Sequence, residues 1–321
     1  MKSFLAIVFL ICSLCALGKD IIQKTNKRTY KVTVNTTVKH KGSDTSSTDL
    51  FLGYLKTNDY QKVTSFEPGA LAEVSKFGKA GDFCIYYKLN LGKNTTLGKK
   101  VELTNEYVIE TYDYTVDLGA IDTIYPYDKN DPNYYYYVYS NLPFIDVRNE
   151  ELMYISRVLE DKSSNKLDYA KNCYLYVAEM YDYGQALTGF KSLDYILHNQ
   201  VGDCGNLTSI FVTLLRIEGI PARHLVGFRP NGSLHVWADF YLANYGWIPV
   251  DVTYKHDYPE GDYFGKVKFK EAGFIVHRDI GHAVYSLDSP MRIPGLQTYS
   301  YINEKENVVI KREVTSELIG S

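Results

Sequence analysis

Gly202-Asp203-Cys204-Gly205-Asn206-Leu207-Thr208 opens the stretch on which the reading of this chain turns. Behind it, Leu207, Ile210, Phe211, Leu214 and Leu215 recur at the spacing of one helical face, and Gly219-Ile220-Pro221 ends the run. The pattern predicts a helix with Cys204 in its first turn, which Asp203 and Asn206 are both able to cap. A thiol there faces unpaired backbone N–H groups and the positive end of the helix dipole, and both favour thiolate over thiol. Such a cysteine is placed for nucleophilic attack, provided that a base and an orienting acid follow.

Both are present downstream. Residues 222–228 read as a strand, Arg229-Pro230-Asn231-Gly232-Ser233 as a turn, and residues 234–242 as a second strand with strict alternation. His235, Trp237, Asp239 and Tyr241 share one face of that strand. A turn through Ala243-Asn244-Tyr245-Gly246 leads to a third strand over 247–253, on which Trp247, Pro249, Asp251 and Thr253 share a side. A loop running from Leu242 to Gly246 would set Trp237 opposite Asp251 and His235 one diagonal step away, within side-chain reach. Cys204, His235 and Asp251 then fit nucleophile, general base and orienter, with the Cys204 N–H as a natural oxyanion donor. Trp237 and Trp247 are expected to wall the site.

GDCGNLTSIFVTLLRIEGIPARHLVGF, HVWADFY and GWIPVDVTY together resemble the transglutaminase-like core, the papain-related family whose Cys, His and Asp lie in three such successive blocks. The resemblance runs at least from about Asp168 to about Tyr254. It implies that Cys204, His235 and Asp251 take the three catalytic roles, and leaves Tyr183 and Gln185 as candidates for completing the oxyanion hole. The implied activity is acyl transfer from a protein or peptide amide through a thioacyl intermediate, to an amine or to water. The alternative is a secreted binding or adhesion module that keeps the fold. No cofactor is implied. The calcium dependence of the large animal transglutaminases is not assumed, because only about 70 residues follow Asp251, too few for two of their further β-domains, and a calcium requirement stays open.

The apolar run over 4–17, after Met1-Lys2 and before Gly18, reads as a secretory signal peptide over 1–18, too short for a comfortable membrane span. The expected location is therefore secreted or within the endolysosomal lumen, with no stable membrane span. Of five cysteines, Cys12 and Cys15 fall in that run. Cys173 lies on an apolar helix face, so a buried free thiol is the default, against a disulfide with Cys84. Sequons at Asn35, Asn94 and Asn231 suit glycosylation, whereas Asn206, one turn from Cys204, is expected to stay unmodified. A formal charge of −3 and the absence of a basic cluster with interleaved aromatics argue against nucleic acid as a partner. No HExxH or paired CxxC occurs, so no metal site is expected.

Residues 19–125 alternate and are rich in Thr, Val and Tyr, predicting a β-sandwich-like N-terminal domain. Residues 126–149 read as a linker, 150–310 as the transglutaminase-like core and 311–321 as a tail. Helices are expected at 150–159, 167–181 and 193–198, the last capped by Ser192. The fold class is α+β, with the Cys-bearing helix packed on an antiparallel sheet.

Overall fold

The computed structural model describes residues 21–78, 81–184, 189–258, 260–286 and 289–321. The signal peptide expected at 1–18 and the oxyanion candidate Gln185 lie outside the described residues. Six strands come first: β1 (Ile22–His40), β2 (Ser46–Gly53), β3 (Gln61–Glu67), β4 (Glu73–Phe77), β5 (Asp82–Leu91) and β6 (Lys100–Val116). Helices α1 (Pro132–Tyr135), α2 (Glu150–Glu160) and α3 (Lys166–Met180) follow. The two-residue strands β7 (Asp182–Tyr183) and β8 (Val201–Gly202) flank α4 (Leu193–Asn199), and α5 (Cys204–Ile217) leads into β9 (Ala222–Phe228), β10 (Leu234–Leu242) and β11 (Gly246–Val250). The chain closes with α6 (Tyr254–Asp257), β12 (Lys266–Val267), α7 (Phe269–Ala272), β13 (Phe274–Arg278), β14 (His282–Ser286), β15 (Ser289–Ile293), β16 (Tyr299–Asn303) and β17 (Val308–Gly320).

Alternation builds the N-terminal sandwich. Along β1, Tyr30, Val32, Val34 and Val38 are buried while Lys31, Asn35 and Lys39 are exposed, the pattern of a sheet with one dry face. One sheet runs β12-β6-β1-β17 with β3 also on β6, the other β16-β2-β5-β4. Val32, Val34, Leu50, Leu52, Tyr87, Leu89, Tyr107 and Ile109 fill the space between them.

The tail read at 311–321 is a strand. From Lys311, opposite Thr37, to Gly320, opposite Thr29, β17 pairs antiparallel with β1, and β16 pairs with β2. The C-terminal strands thus complete the sheets that the N-terminal residues begin. Lys311, Arg312, Glu313 and Glu317 disguise the strand's alternation in sequence. Arg312 nonetheless sits on the inward row, its guanidinium 5.0 Å from the centre of the Phe228 ring, so its stem counts as apolar surface.

In the core, β11-β10-β9-β13 form one antiparallel sheet on which α5 packs, with α2 and α3 against the helix from other directions. The sequence predicts one apolar face for α5. Instead Val212, Thr213 and Ser209 are as buried as Leu207, Ile210 and Phe211, so the helix is enclosed all round. Its small hydroxyl residues bond back into the helix, Thr213 Oγ1 to the Ser209 carbonyl at 2.7 Å and Ser209 Oγ to that of Gly205 at 3.1 Å.

Polar side chains clamp the sandwich to this sheet. The Gln61 amide reads the backbone of Ile275 in both directions at 2.8 Å, acting as one more rung of a ladder. Arg223 makes a two-pronged bond to Asp239 at 2.8 and 2.9 Å, and the Tyr60 hydroxyl donates to the same carboxylate at 3.1 Å. Cys84 and Cys173 are buried and unbridged. Burial pushes the Cys84 thiol up to about 12 and raises Cys173 as well.

Candidate active site

Cys204 is the first residue of α5, so its N–H has no acceptor within the helix. Asp203 caps the end, its Oδ1 taking the Asn206 N–H at 3.0 Å and its carbonyl the Leu207 N–H at 3.0 Å. Asn206, expected as a second cap, serves differently. Fully buried, it accepts the Lys191 N–H on Oδ1 at 2.8 Å and so ties the segment before α4 to the helix start. The same segment lays Phe190 over Gly205, where an added Cβ would stand 2.6 Å from Phe190 Cε1.

The β9–β10 turn and the β10–β11 turn bring the base and the acid to this end. Leu234 pairs with Phe228 and Leu242 with Gly246. The ladder runs through Ala238 opposite Val250, and its next step sets Trp237 across from Asp251 as the loop length predicts. His235, one diagonal step away, donates from Nε2 to Asp251 Oδ2 at 2.7 Å. The strand ends at Val250 rather than at 253, because Asp251 turns the chain: Oδ1 accepts the N–H of Thr253 (3.1 Å), its hydroxyl (2.9 Å) and the N–H of Tyr254 (3.1 Å). With Nε2 committed, Nδ1 is the ring nitrogen left for Cys204, whose sulfur is among the groups that raise this imidazole.

His235 and Asp251 are 2% and 4% exposed, and their electrostatics follow from that. Burial works against a charged imidazole, yet the Asp251 charge, its hydrogen bond and the Cys204 sulfur together carry His235 up to about 9. Burial likewise opposes the Asp251 carboxylate, but the imidazolium and the bonds from His235 and Thr253 hold it below the usual range. Such a group holds an imidazolium beside a sulfur at neutral pH.

The remaining candidates separate. Tyr183 pairs with Gly202 in the β7–β8 ladder, two residues before Cys204, with its ring centre 6.0 Å from that of His256. Trp237 does not wall an opening: it is 2% exposed, edge-on to Tyr60 at 4.9 Å, because the sandwich covers it. Trp247 lies elsewhere. It pairs with Tyr241, roughly 20 Å along β10 from His235, under the Arg223 guanidinium at 3.5 Å. A shared strand side was legible in sequence, whereas the distance along it separates Trp247 from the thiol. Asn35, Asn94 and Asn231 are exposed, whereas Asn206 is 0% exposed and has no room for a glycan. Sequence reasoning missed Thr253, although Asp251-Val252-Thr253 is the spacing of an Asx turn. It also missed Phe190, for which no local signal exists. His224 is fully buried, with Nε2 3.0 Å from Ser209 Oγ.

Residues 154–252 match the family model described as the transglutaminase-like superfamily. The chain is similar over 94% of its length to 93% of the crystal structure titled "a Putative Cysteine Protease from Cytophaga hutchinsonii", with TM-score 0.63 and 14% identity, a likeness of fold. It also matches the periplasmic domain of TgpA from Pseudomonas aeruginosa at 15% identity over 76% of each chain, with TM-score 0.41. An uncharacterized protein of Haemophilus influenzae is 35% identical over 75 residues, 16% of this chain and 20% of that protein. The chain thus spans about a fifth of the length of that curated relative. The family match covers the segment that builds α5 and the β9–β11 ladder, and it is over this core that the chain is similar to the transglutaminase-like superfamily.

Proposed function

We propose that this protein is a cysteine-dependent acyltransferase or amidase acting on protein or peptide amides, in a secreted or endolysosomal setting. The observation that carries the proposal is the buried His235–Asp251 pair, bonded at 2.7 Å, whose imidazole feels the Cys204 sulfur at the head of α5. In it, the Cys204 thiolate attacks the amide carbonyl, and the oxyanion that forms faces the free Cys204 N–H. The C–N bond then breaks as the His235 imidazolium gives its proton to the departing nitrogen, leaving a thioester on Cys204. The neutral imidazole next takes a proton from water or from an amine as that group attacks the thioester, and the C–S bond breaks to release the acyl product and restore the Cys204 thiolate beside the imidazolium. Asp251 keeps the ring in one orientation and stabilises its charged form.

The test is incubation of wild type and Cys204→Ala with a glutamine-containing protein and a labelled primary amine, reading both amine incorporation and new chain ends. Activity in wild type and its loss in the variant support the proposal. Absence of both products from folded wild type, together with ordinary thiol alkylation kinetics at Cys204, overturns it in favour of a binding module.

A further inference from the structure

We propose that a tyrosine-walled cleft remote from Cys204 is a second binding site, for a saccharide that carries a carboxylate. The cleft holds about 470 Å3 between the segment after α1 and the pair His282 and Arg292, within the roughly 300–1,000 Å3 of small-molecule sites. Arg216 and Asp279 line it, with Arg292 beside them. Arg216 lies in the last turn of α5, whose first residue is Cys204, so the two sites are about 18 Å apart along the helix axis.

Three tyrosines that line the cleft are unusually open, Tyr135 at 55%, Tyr136 at 38% and Tyr139 at 58% exposed. Rings left in water beside a concavity offer flat apolar faces to a ligand. The polar lining is largely locked. Arg216 spends its guanidinium on the carbonyls of Ala222 and Tyr139, both at 2.8 Å, and on Asp279 at 3.0 Å. His282 Nε2 bonds the Arg278 carbonyl at 2.9 Å. Arg292 is different: exposed, it reaches Asn141 Oδ1 and the Leu142 carbonyl through Nη1, and its Nε and Nη2 have no partner among the described residues.

These features select a ligand class. Among the described lining residues the guanidinium groups of Arg216 and Arg292 outnumber the Asp279 carboxylate, which disfavours an ammonium between the tyrosines. A wholly apolar ligand would make no use of the open donors of Arg292 at the rim. A sugar ring sets its C–H faces on tyrosine and its hydroxyls against their O–H groups, and its carboxylate answers the planar donors of Arg292.

The experiment is saturation-transfer NMR and calorimetry on the full chain, needing no turnover. The probes are free glucuronic acid, a disaccharide ending in it, the methyl ester of that disaccharide, and a glutamate tripeptide. The acidic disaccharide should bind about tenfold more tightly than its ester, as loss of a charge-assisted bond requires. Arg292→Ala should erase that preference, and Tyr139→Ala should weaken both sugars about fivefold or more, each with an unchanged melting temperature. Equal binding of the free acid marks a soluble sugar as the ligand, and stronger binding of the disaccharide marks a glycan end. No sugar binding by wild type, binding indifferent to both variants, or a preference for the tripeptide each overturns the proposal.

Discussion

Thr253 holds Asp251 from two directions, its N–H and its hydroxyl both reaching Oδ1, at 3.1 and 2.9 Å. The carboxylate is thereby fixed with its other oxygen turned to His235. The orientation of the imidazole, and through it the environment of the Cys204 sulfur, rests on a residue that never touches the thiol.

Thr253→Val keeps the shape and removes the hydroxyl. A bond to a charged group contributes about 1.5–3 kcal/mol, so kcat/KM for amine incorporation or amide cleavage should fall roughly tenfold or more. Thr253→Ser should recover most of the loss. Equal rates in wild type and the valine variant would remove Thr253 from the machinery.

The pH dependence follows from His235. Its native value, up to about 9, stands above the unfolded value of about 6.5. The imidazolium therefore contributes stability that is complete below about 6.5 and is lost as pH rises through about 9. The alkaline limb of kcat/KM should fall in the same region. In Asp251→Asn the carboxylate that raises His235 is gone, so the limb should move to lower pH. A limb that stays in place in this variant would show that another group sets it.

Asp239 and Arg223 are 0% and 2% exposed and joined by two bonds. Asp239→Ala strands a buried guanidinium, which costs about 3–5 kcal/mol, and urea unfolding should report that loss. Tyr60→Phe removes one bond to the same carboxylate and should cost only about 1 kcal/mol. A mild Asp239→Ala would mean that Arg223 finds Asp59, 3.6 Å away, as a substitute.

Gly227 stands opposite His235 on β9, and a Cβ there would lie 1.8 Å from the Phe274 carbonyl oxygen. Backbone cannot yield as a side chain can. Gly227→Ala should therefore destabilise by at least about 3 kcal/mol, whereas Gly205→Ala, which meets the Phe190 ring, should be milder. Melting curves of the two variants settle the order.

Glycopeptide mass spectrometry of protein from a secretory host should find Asn206 unoccupied, since it is 0% exposed and its Oδ1 holds the Lys191 N–H. Occupancy there would be incompatible with this helix start.

Local pattern was enough to place the helix from Cys204, the strands over 222–228 and 234–242, and the register that brings His235 to Asp251. Each of these depends on residues close in sequence, where helical period, strand alternation and loop length act directly. Tertiary structure decided the rest. That β17 returns to β1, that Tyr60 covers Trp237, and that Phe190 lies on Gly205 are contacts between residues distant in sequence or across an irregular loop. Their stabilisation comes from burial and pairing in the assembled fold, and no short window of residues carries a record of its partner.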